Sequence, residues 1–241
     1  MRRFAFLILL IGFCHRATFT PMGTPELEFK RGKAYFDKKD YKRAIKSFES
    51  LIFNFPGSKL VDDAQLYVAK SHLLLKHYDQ ADLEAQFLIE NFPRSEYVEE
   101  AYIIRARALY ATLPSYKRDQ SRTEETIKLL ERFIEAYPSS KFLGEAREIL
   151  YHCRSRVARK ALTNGLFYKK RGDLDAAIIY FQLVIDRYPE TPSAREARYN
   201  LARIMEKRLR IDEARRHYTE LADSLDEWGK KAKERLERIE K

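Results

Sequence analysis

The chain has 241 residues, 34% of them charged, and a formal net charge of +10 at pH 7. Eight Gly and eight Pro are few for this length, and Leu, Ala, Glu, Lys and Arg are abundant, so the composition favours helices and argues against a sheet protein. Two cysteines exclude a disulfide framework as the source of stability. The length suits one large domain or a short array of repeats.

The N-terminal residues 1–14 predict a secretory signal peptide. Basic residues precede an apolar stretch, 4–13, that is too short for a permanent membrane-spanning helix. Cys14 follows and resembles the acylated first residue of a bacterial lipoprotein, so we expect a covalent lipid on Cys14 and a membrane anchor through it. Cleavage after Ala17 is the alternative. Residues 15–25 would form a flexible tether.

Four segments of the chain share one pattern, an aromatic residue, then Pro, then Ser or Thr two residues later. Proline disfavours helical geometry in the residue before it, and a hydroxyl can cap a following helix. Each segment therefore predicts the end of one helix and the start of the next. The four segments are 54–58, 91–95, 136–140 and 187–191.

Counting back from two of these prolines, Pro56 and Pro189, reveals a longer repeat. Small residues lie 24 and 12 positions before the proline and aromatic residues lie 21 and 8 positions before it, which is the tetratricopeptide (TPR) pattern. The small residues would let two antiparallel helices approach closely. The positions are Gly32, Tyr35, Ala44 and Phe48 before Pro56, and Gly165, Tyr168, Ala177 and Phe181 before Pro189; Ala69, Ala81 and Ala85 keep the register before Pro93.

The repeats predict an all-α fold, a TPR superhelix of about five helix hairpins with a C-terminal capping helix at 226–240. The third unit is longer than the others and carries a polar loop at 113–121, and residues 140–170 predict one long helix. We therefore divide the chain into an N-terminal half, 26–138 with repeats 1–3, and a C-terminal half, 139–241 with repeats 4–5 and the cap.

The sequence lacks the motifs of catalysis. It contains no phosphate loop, dinucleotide-binding glycine pattern, zinc-helix histidine pair or nucleophile elbow, so we predict neither an enzyme nor a metal site. The strongest basic cluster is Arg154, Arg156, Arg159 and Lys160. In an exported protein, an acidic protein or a lipid headgroup is a better ligand for it than nucleic acid, and a solvated helix face is the alternative.

The inner face of a TPR superhelix is built largely from the first helix of each pair, and it can hold a peptide or a partner domain. In the first two units Lys33 and Lys70 interleave with apolar residues on this face, which suits an extended segment that bears carboxylates. Core packing is the alternative for the apolar residues, which are Phe29, Phe36, Leu66 and Leu73.

From about residue 26 to residue 221 the chain resembles the BamD family, the TPR lipoproteins of the β-barrel assembly machinery in Gram-negative outer membranes. The segments that carry the resemblance are Tyr41-Lys42-Arg43-Ala44-Ile45 with Pro56, Ala101-Tyr102-Ile103-Ile104-Arg105, Arg118-Asp119-Gln120, and Tyr168-Lys169-Lys170-Arg171-Gly172 followed by Ala176-Ala177 and Arg187-Tyr188-Pro189-Glu190-Thr191.

This resemblance implies a lipid-anchored scaffold on the periplasmic side of the outer membrane that binds without catalysis. Its N-terminal repeats would form a groove for segments of unfolded outer-membrane proteins. Its C-terminal repeats would dock a BamA-like β-barrel subunit, with other lipoproteins of the machinery as further partners. Mapped by motif, the groove would use Phe29, Lys33, Phe36, Lys70, Tyr102 and Arg105, and the docking side would use Arg118, Asp119, Tyr168, Arg171 and Asp173.

Two further expectations bear on this identification. Many members of the family carry an arginine where this chain has Tyr180, so we expect no salt bridge to the partner at that point. The alternative function is that of a Tol-Pal-associated periplasmic TPR protein, which coordinates constriction of the cell envelope. Proteins of that kind usually carry an N-terminal coiled coil, and residues 15–25 contain no heptads.

Overall fold

The computed structural model describes residues 23–239, and this part of the chain is entirely helical. The signal peptide and Cys14 lie outside the described residues. The helices are α1 Pro25–Asp37, α2 Tyr41–Asn54, α3 Val61–Leu74, α4 Tyr78–Asn91, α5 Val98–Ala111, α6 Ser121–Ala136, α7 Leu143–Arg171, α8 Leu174–Arg187, α9 Pro192–Lys207, α10 Ile211–Ala222 and α11 Glu227–Ile239.

The helices pack in sequence order as five hairpins and a final single helix. Each packs against the next helix in the chain, and the first helix of each hairpin also contacts the first helix of the following one. This arrangement confirms the TPR superhelix, with α11 as the predicted cap. Helix α11 begins directly after Asp226. Oδ1 of Asp226 accepts hydrogen bonds from the backbone N–H groups of Trp228 at 3.0 Å and Gly229 at 3.1 Å, and so caps the helix.

Small residues bring the two helices of a hairpin together, as the repeat pattern predicts. A Cβ atom added to Gly32 would lie 2.7 Å from Cε1 of Phe48, and one added to Gly165 would lie 2.6 Å from Cε1 of Phe181. Both rings are fully buried. The cores of these two hairpins, α1–α2 and α7–α8, therefore depend on a residue without a side chain opposite an aromatic ring.

In four of the hairpins, a tight turn of one shared conformation joins the first helix to the second. Lys39, Lys76 and Leu209 have φ near +60°, and Gly172 takes the same place with φ 86°. In each turn the N–H of the following residue donates to a carbonyl in the last turn of the helix, as the N–H of Asp40 does to the carbonyl of Tyr35 at 2.9 Å. This hydrogen bond satisfies one of the carbonyls that have no partner within the helix at its C-terminal end. Lys39, Lys76 and Leu209 thus adopt the left-handed backbone conformation that glycine adopts most easily.

The aromatic-proline segments end helices as predicted, but their hydroxyls act differently from the prediction. Each aromatic residue follows the last residue of α2, α4, α6 or α8. The hydroxyls of Ser58, Ser95 and Ser140 accept from the backbone N–H two residues later, at 3.1–3.2 Å, and the next helix begins further on without a side-chain cap. They stabilise the turn before the helix, because a short hydroxyl side chain bonds most readily to its nearest N–H groups.

The third hairpin and the long helix depart from the regular repeat where the sequence predicts. Residues 112–120 connect α5 to α6. Helix α7 runs unbroken for 29 residues and packs against α5 and α6 on one side and α8 and α9 on the other. It therefore contacts both of the halves defined above. Helix α1 begins at Pro25, the last residue of the predicted tether, and Oγ1 of Thr24 accepts from the N–H of Leu27 at 3.3 Å.

Candidate functional site

Four of the predicted groove residues, Phe29, Lys33, Phe36 and Lys70, lie around Tyr67 of α3. The ring of Tyr67 stacks on Phe48 with centroids 5.2 Å apart, and it meets Phe36 edge to face at 5.0 Å and Phe29 at 5.9 Å. Offset and edge-to-face contacts of this kind stabilise beyond the area they bury. We call this group, Phe29, Phe36, Phe48 and Tyr67, the aromatic cluster.

Two lysines extend the aromatic cluster towards solvent. Nζ of Lys33 lies 5.6 Å and Nζ of Lys70 lies 5.2 Å from the centre of the Tyr67 ring, within the range of a cation–π interaction. Lys70 also pairs with Glu100 of α5 at 2.8 Å. Lys33 pairs with Asp37 one turn on, and this hydrogen bond raises the pKa of Lys33. Cations and rings thus share one surface, which suits a segment that carries both apolar and acidic groups.

The other two predicted groove residues lie outside the aromatic cluster. Tyr102 packs against two rings of α6 and the turn after it, Phe133 at 5.6 Å and Tyr137 at 5.9 Å. Arg105 donates from Nε to Asp82 of α4 at 2.7 Å, and both side chains are about 85% buried. Tyr102 therefore packs between α5 and α6, and Arg105 ties α5 to α4.

Sequence reasoning missed Tyr67, which is the centre of the cluster. It lies one position beyond Leu66, the residue that the 37-residue register matches to Phe29. The signal available in the sequence was an aromatic residue directly after the position that the register aligns with Phe29. The same register relates Lys33 and Lys70 to Arg107, whose Nε donates to Oε1 of Glu145 at 2.5 Å while its Nη2 donates to Oε2 at 2.7 Å.

The predicted docking residues form two groups along α7. At its C-terminal end Tyr168 stacks on Tyr180 of α8, with centroids 5.5 Å apart and planes 11° apart. Phe167 meets Tyr168 edge to face, and the guanidinium of Arg171 lies 5.5 Å from the Phe167 ring. Ile179 on the same hairpin is 68% exposed. We call Phe167, Tyr168, Arg171, Ile179 and Tyr180 the α7–α8 patch.

Asp173 serves the backbone beside this patch. Its Oδ1 accepts from the N–H of Ala176 at 3.1 Å and caps α8. Its carboxylate therefore stabilises the helix start next to the α7–α8 patch.

Arg118 and Asp119 form the second group, on the 112–120 loop. Nζ of Lys160 donates to the carbonyl of Arg118 at 2.8 Å, which fastens the loop to the middle of α7. Oδ1 of Asp119 accepts from the N–H of Ser121 at 3.0 Å, and hydrogen bonds to Ser121 lower the pKa of Asp119. Lys160 lies eight residues before Tyr168, about 12 Å along a helix, so the two groups are separate.

The predicted basic cluster also divides. Arg154 pairs with Glu190 at 2.6 Å and Glu131 at 3.1 Å, and its Nη2 donates to the carbonyl of Arg187 at 2.7 Å, so its charge stabilises the contact of α7 with α6 and α8. Arg156 and Arg159 face the 112–120 loop instead: Arg156 donates to the carbonyl of Pro114, and Arg159 lies over the ring of Tyr116.

Within residues 23–239 no set of three or more His, Cys, Asp and Glu side chains is placed to bind a metal ion. No helix in the same range combines the length and the apolar character needed to cross a bilayer. What these residues present is paired charge, aromatic surface and open clefts.

Two curated relatives are similar to this chain over nearly three quarters of its length, and both are named outer membrane protein assembly factor BamD. The chain is 28% identical to the one from Rickettsia prowazekii over 173 residues, which cover 72% of this chain and 69% of that protein. It is 26% identical to the one from Caulobacter vibrioides over 176 residues, which cover 73% of this chain and 58% of that protein.

Among solved structures the chain is similar to a TPR repeats protein from Bacteroides fragilis, with 17% identity, a TM-score of 0.44, and coverage of 90% of this chain and 85% of that chain. The family model described as YfiO, outer membrane lipoprotein, matches residues 22–221, which include α1 to α9 and nearly all of α10. This chain therefore belongs to the YfiO family of outer membrane lipoproteins.

Proposed function

We propose that the chain is a non-catalytic scaffold that binds client segments through the aromatic cluster and a β-barrel subunit through the α7–α8 patch. The chain takes part in outer-membrane protein assembly, in keeping with its family and with relatives named for that role. The comparisons give no support to the Tol-Pal-associated alternative. The division of labour between the two surfaces is our inference.

The observation that carries the groove is the pair of lysines over Tyr67. An unfolded membrane β-strand alternates apolar side chains with polar ones, because one face meets lipid and the other the barrel interior. Rings flanked by two ammonium groups, with centroid distances of 5.2 and 5.6 Å, match such a segment in both respects. We therefore assign client binding to the inner face of the first two hairpins.

Tyr67→Leu tests the groove, because it keeps apolar bulk and removes the ring face that both lysines share. The full chain is titrated with a fluorescent peptide copied from a membrane strand of an outer-membrane protein. We expect binding to weaken about tenfold, since aromatic and cation–π contacts contribute ~0.5–2 kcal/mol each. Phe87→Leu, on α4, is the matched control and should bind normally, because Phe87 is 45% exposed and its ring contacts Phe92 outside the aromatic cluster. Equal affinity of the two variants would reject the groove.

The α7–α8 patch is assigned to a BamA-like subunit, because it exposes apolar surface on the half that the resemblance implies for docking. Ile179 and Leu83 occupy the same register position on α8 and α4 and are 68% and 63% exposed. In a pull-down of the full chain from solubilised membranes, Ile179→Ser should reduce recovery of a large β-barrel protein with periplasmic repeats, and Leu83→Ser should not. Recovery of a Tol-Pal component without that barrel protein would overturn the assignment.

We also propose attachment through a lipid on Cys14, which places the chain on the periplasmic side of the outer membrane. Radiolabelled palmitate should enter the wild-type chain and be absent from Cys14→Ser. Labelling that persists in the variant would contradict this anchor.

A further inference from the structure

An open cleft of about 470 Å³ lies where the third hairpin meets the long helix. Its walls come from the end of α5, the 112–120 loop, the middle of α7 and the first turn of α9. It is separate from both surfaces described under the proposed function. The residues that line it are Tyr110, Ser115, Tyr116, Tyr151, His152, Ser155, Arg156, Arg159, Pro192 and Ser193.

One face of α7 supplies the polar side of the cleft. His152, Ser155, Arg156 and Arg159 follow one another at intervals of three, one and three residues, which places them on a single stripe of a helix. No Asp or Glu is among the residues that line the cleft. The stripe therefore presents positive charge to a space with no acidic wall.

Arg156 and Arg159 differ from the basic residues of α3 and α5 described above, because in the described part of the chain neither arginine has a carboxylate partner. Lys70, Arg105 and Arg107 each pair with an acid on a neighbouring helix. Within residues 23–239, by contrast, Arg156 and Arg159 form no ion pair within 4.0 Å. Burial raises the pKa of the nearby Glu196, and the charge of Arg159 opposes this rise. A guanidinium presents several donors in a fixed fork that matches a carboxylate, so these groups retain binding capacity.

The cleft coincides with a break in the repeat register. In the second and third units the basic residue fourteen positions after the proline, Lys70 or Arg107, pairs with an acid on the next hairpin's first helix. His152 is the next residue in this series, and its nearest carboxylate is that of Glu148 in its own helix, at 4.0 Å. Within residues 23–239, His152 therefore has no acid of a neighbouring helix within 4.0 Å, and the cleft lies beside it.

The aromatic side of the cleft is held in place. The guanidinium of Arg159 lies 4.9 Å from the ring centre of Tyr116, and the His152 ring contacts Tyr110 at 6.1 Å and Tyr151 at 5.6 Å. Arg156 donates to the carbonyl of Pro114. These contacts fix the rings beside the cations, so a ligand would not have to order the wall before binding.

One polar atom beside the cleft has no partner among the described residues. Within residues 23–239, Oγ of Ser155 is buried without a hydrogen-bond partner, although a buried hydroxyl normally has one. It lies on the same stripe of α7 as the arginines. A ligand oxygen or N–H in the cleft would satisfy it.

We propose that this cleft binds an extended acidic peptide segment of a partner protein, with a carboxylate on Arg159 and Arg156 and an adjacent apolar side chain against the tyrosine rings. Three tyrosines beside the guanidinium groups favour a peptide over an anionic lipid surface. A lipid headgroup would use the cations and leave the rings without a role, whereas a peptide uses both.

Binding is tested on the full chain with a fluorescent capped peptide whose core is Glu-Phe-Glu. Core sequences of Gln-Phe-Gln and Glu-Ala-Glu separate the charge from the ring. Arg159→Gln removes the cation without touching the Pro114 contact. Arg132→Gln is the matched control, because Arg132 is exposed on α6 and its Nε donates only to the carbonyl of Lys128 in its own helix, at 3.3 Å. Circular dichroism establishes that each variant is folded.

We expect Arg159→Gln to weaken Glu-Phe-Glu binding about tenfold or more, as loss of a charge-assisted hydrogen bond does, and Arg132→Gln to leave it within twofold. Gln-Phe-Gln and Glu-Ala-Glu should each bind more weakly than Glu-Phe-Glu to the wild type. Equal binding of Glu-Phe-Glu and Gln-Phe-Gln would overturn the proposal.

Two further outcomes would also overturn it. Binding that survives Arg159→Gln and disappears in Lys33→Gln would place the peptide at the aromatic cluster. Phosphatidylglycerol vesicles that bind through Arg159 while the peptide does not would assign the cleft to a lipid. The peptide titration does not involve membrane assembly, so its failure leaves the proposed function standing.

Discussion

Gly165→Ala is a direct test of the close approach between α7 and α8. The added Cβ would lie 2.6 Å and 2.8 Å from Cε1 and Cδ1 of Phe181 and 3.2 Å from Cβ of Tyr180. Phe181 is fully buried, so its ring cannot swing away without disturbing the hairpin core. One methyl group should therefore destabilise the fold even though alanine favours helices.

The magnitude follows from two opposing effects. Overpacking a well-packed core costs ~1–3 kcal/mol, while Ala in place of Gly in a helix interior favours folding by about 1 kcal/mol. We expect a net loss of up to about 2 kcal/mol and, for a domain of this size, a melting temperature lowered by up to roughly 8 °C.

Gly144→Ala is the matched control, because Gly144 lies in the same helix and its added Cβ would meet nothing within 4 Å. Its position in the first turn makes its gain smaller, about 0.5 kcal/mol. Thermal and urea unfolding of the two variants are followed by circular dichroism, and the difference between them isolates the Phe181 contact. If Gly165→Ala were as stable as Gly144→Ala, the close-approach argument would be refuted.

Two further predictions concern buried groups. Burial raises the pKa of the Cys153 thiol to about 12. Iodoacetamide at pH 8.5 should therefore label the Cys153 peptide only after unfolding, and rapid labelling of the folded chain would contradict this. The stability of the fold should also fall as the pH rises from about 9 towards 12. Asp82→Asn should cost ~1–3 kcal/mol because it leaves the largely buried Arg105 with only its longer pair to the exposed Glu125, at 3.7 Å. Asp79→Asn should cost under about 0.5 kcal/mol because its pair with Arg122 is exposed, and equal unfolding midpoints for the two variants would contradict the prediction.

The sequence predicts the hairpins well because their determinants are local. The proline of each aromatic-proline segment marks the end of a helix, and a glycine opposite a phenylalanine keeps its register within one hairpin, as Gly32 and Phe48 do. The long helix and the loop after α5 follow from the same counting, since the spacing between prolines changes at those points. Each of these features depends on residues close together in the chain.

The membership of the groove was harder to predict because it depends on rotation about the helix axis. One residue turns a helix by about 100°, so Tyr67, one step from Leu66, faces the rings of α1. Tyr102 and Arg105 were assigned by motif, whereas the register that relates Phe29 to Leu66 leads to Ile103, which is almost fully buried. The acidic partners of Lys70, Arg105 and Arg107 lie 23 to 38 residues away in the chain, and only the packed repeats bring them together.

Helix α7 has a consequence for how this array comes apart. In a repeat protein each unit contacts its neighbours only, so unfolding can begin at one unit and stop at the next interface. Because α7 is continuous and packs against α5, α6, α8 and α9, the interface at which such fraying would stop runs along a single helix. Melting of either neighbouring hairpin would expose part of α7, which makes this helix a cooperative joint between the two ends of the described array.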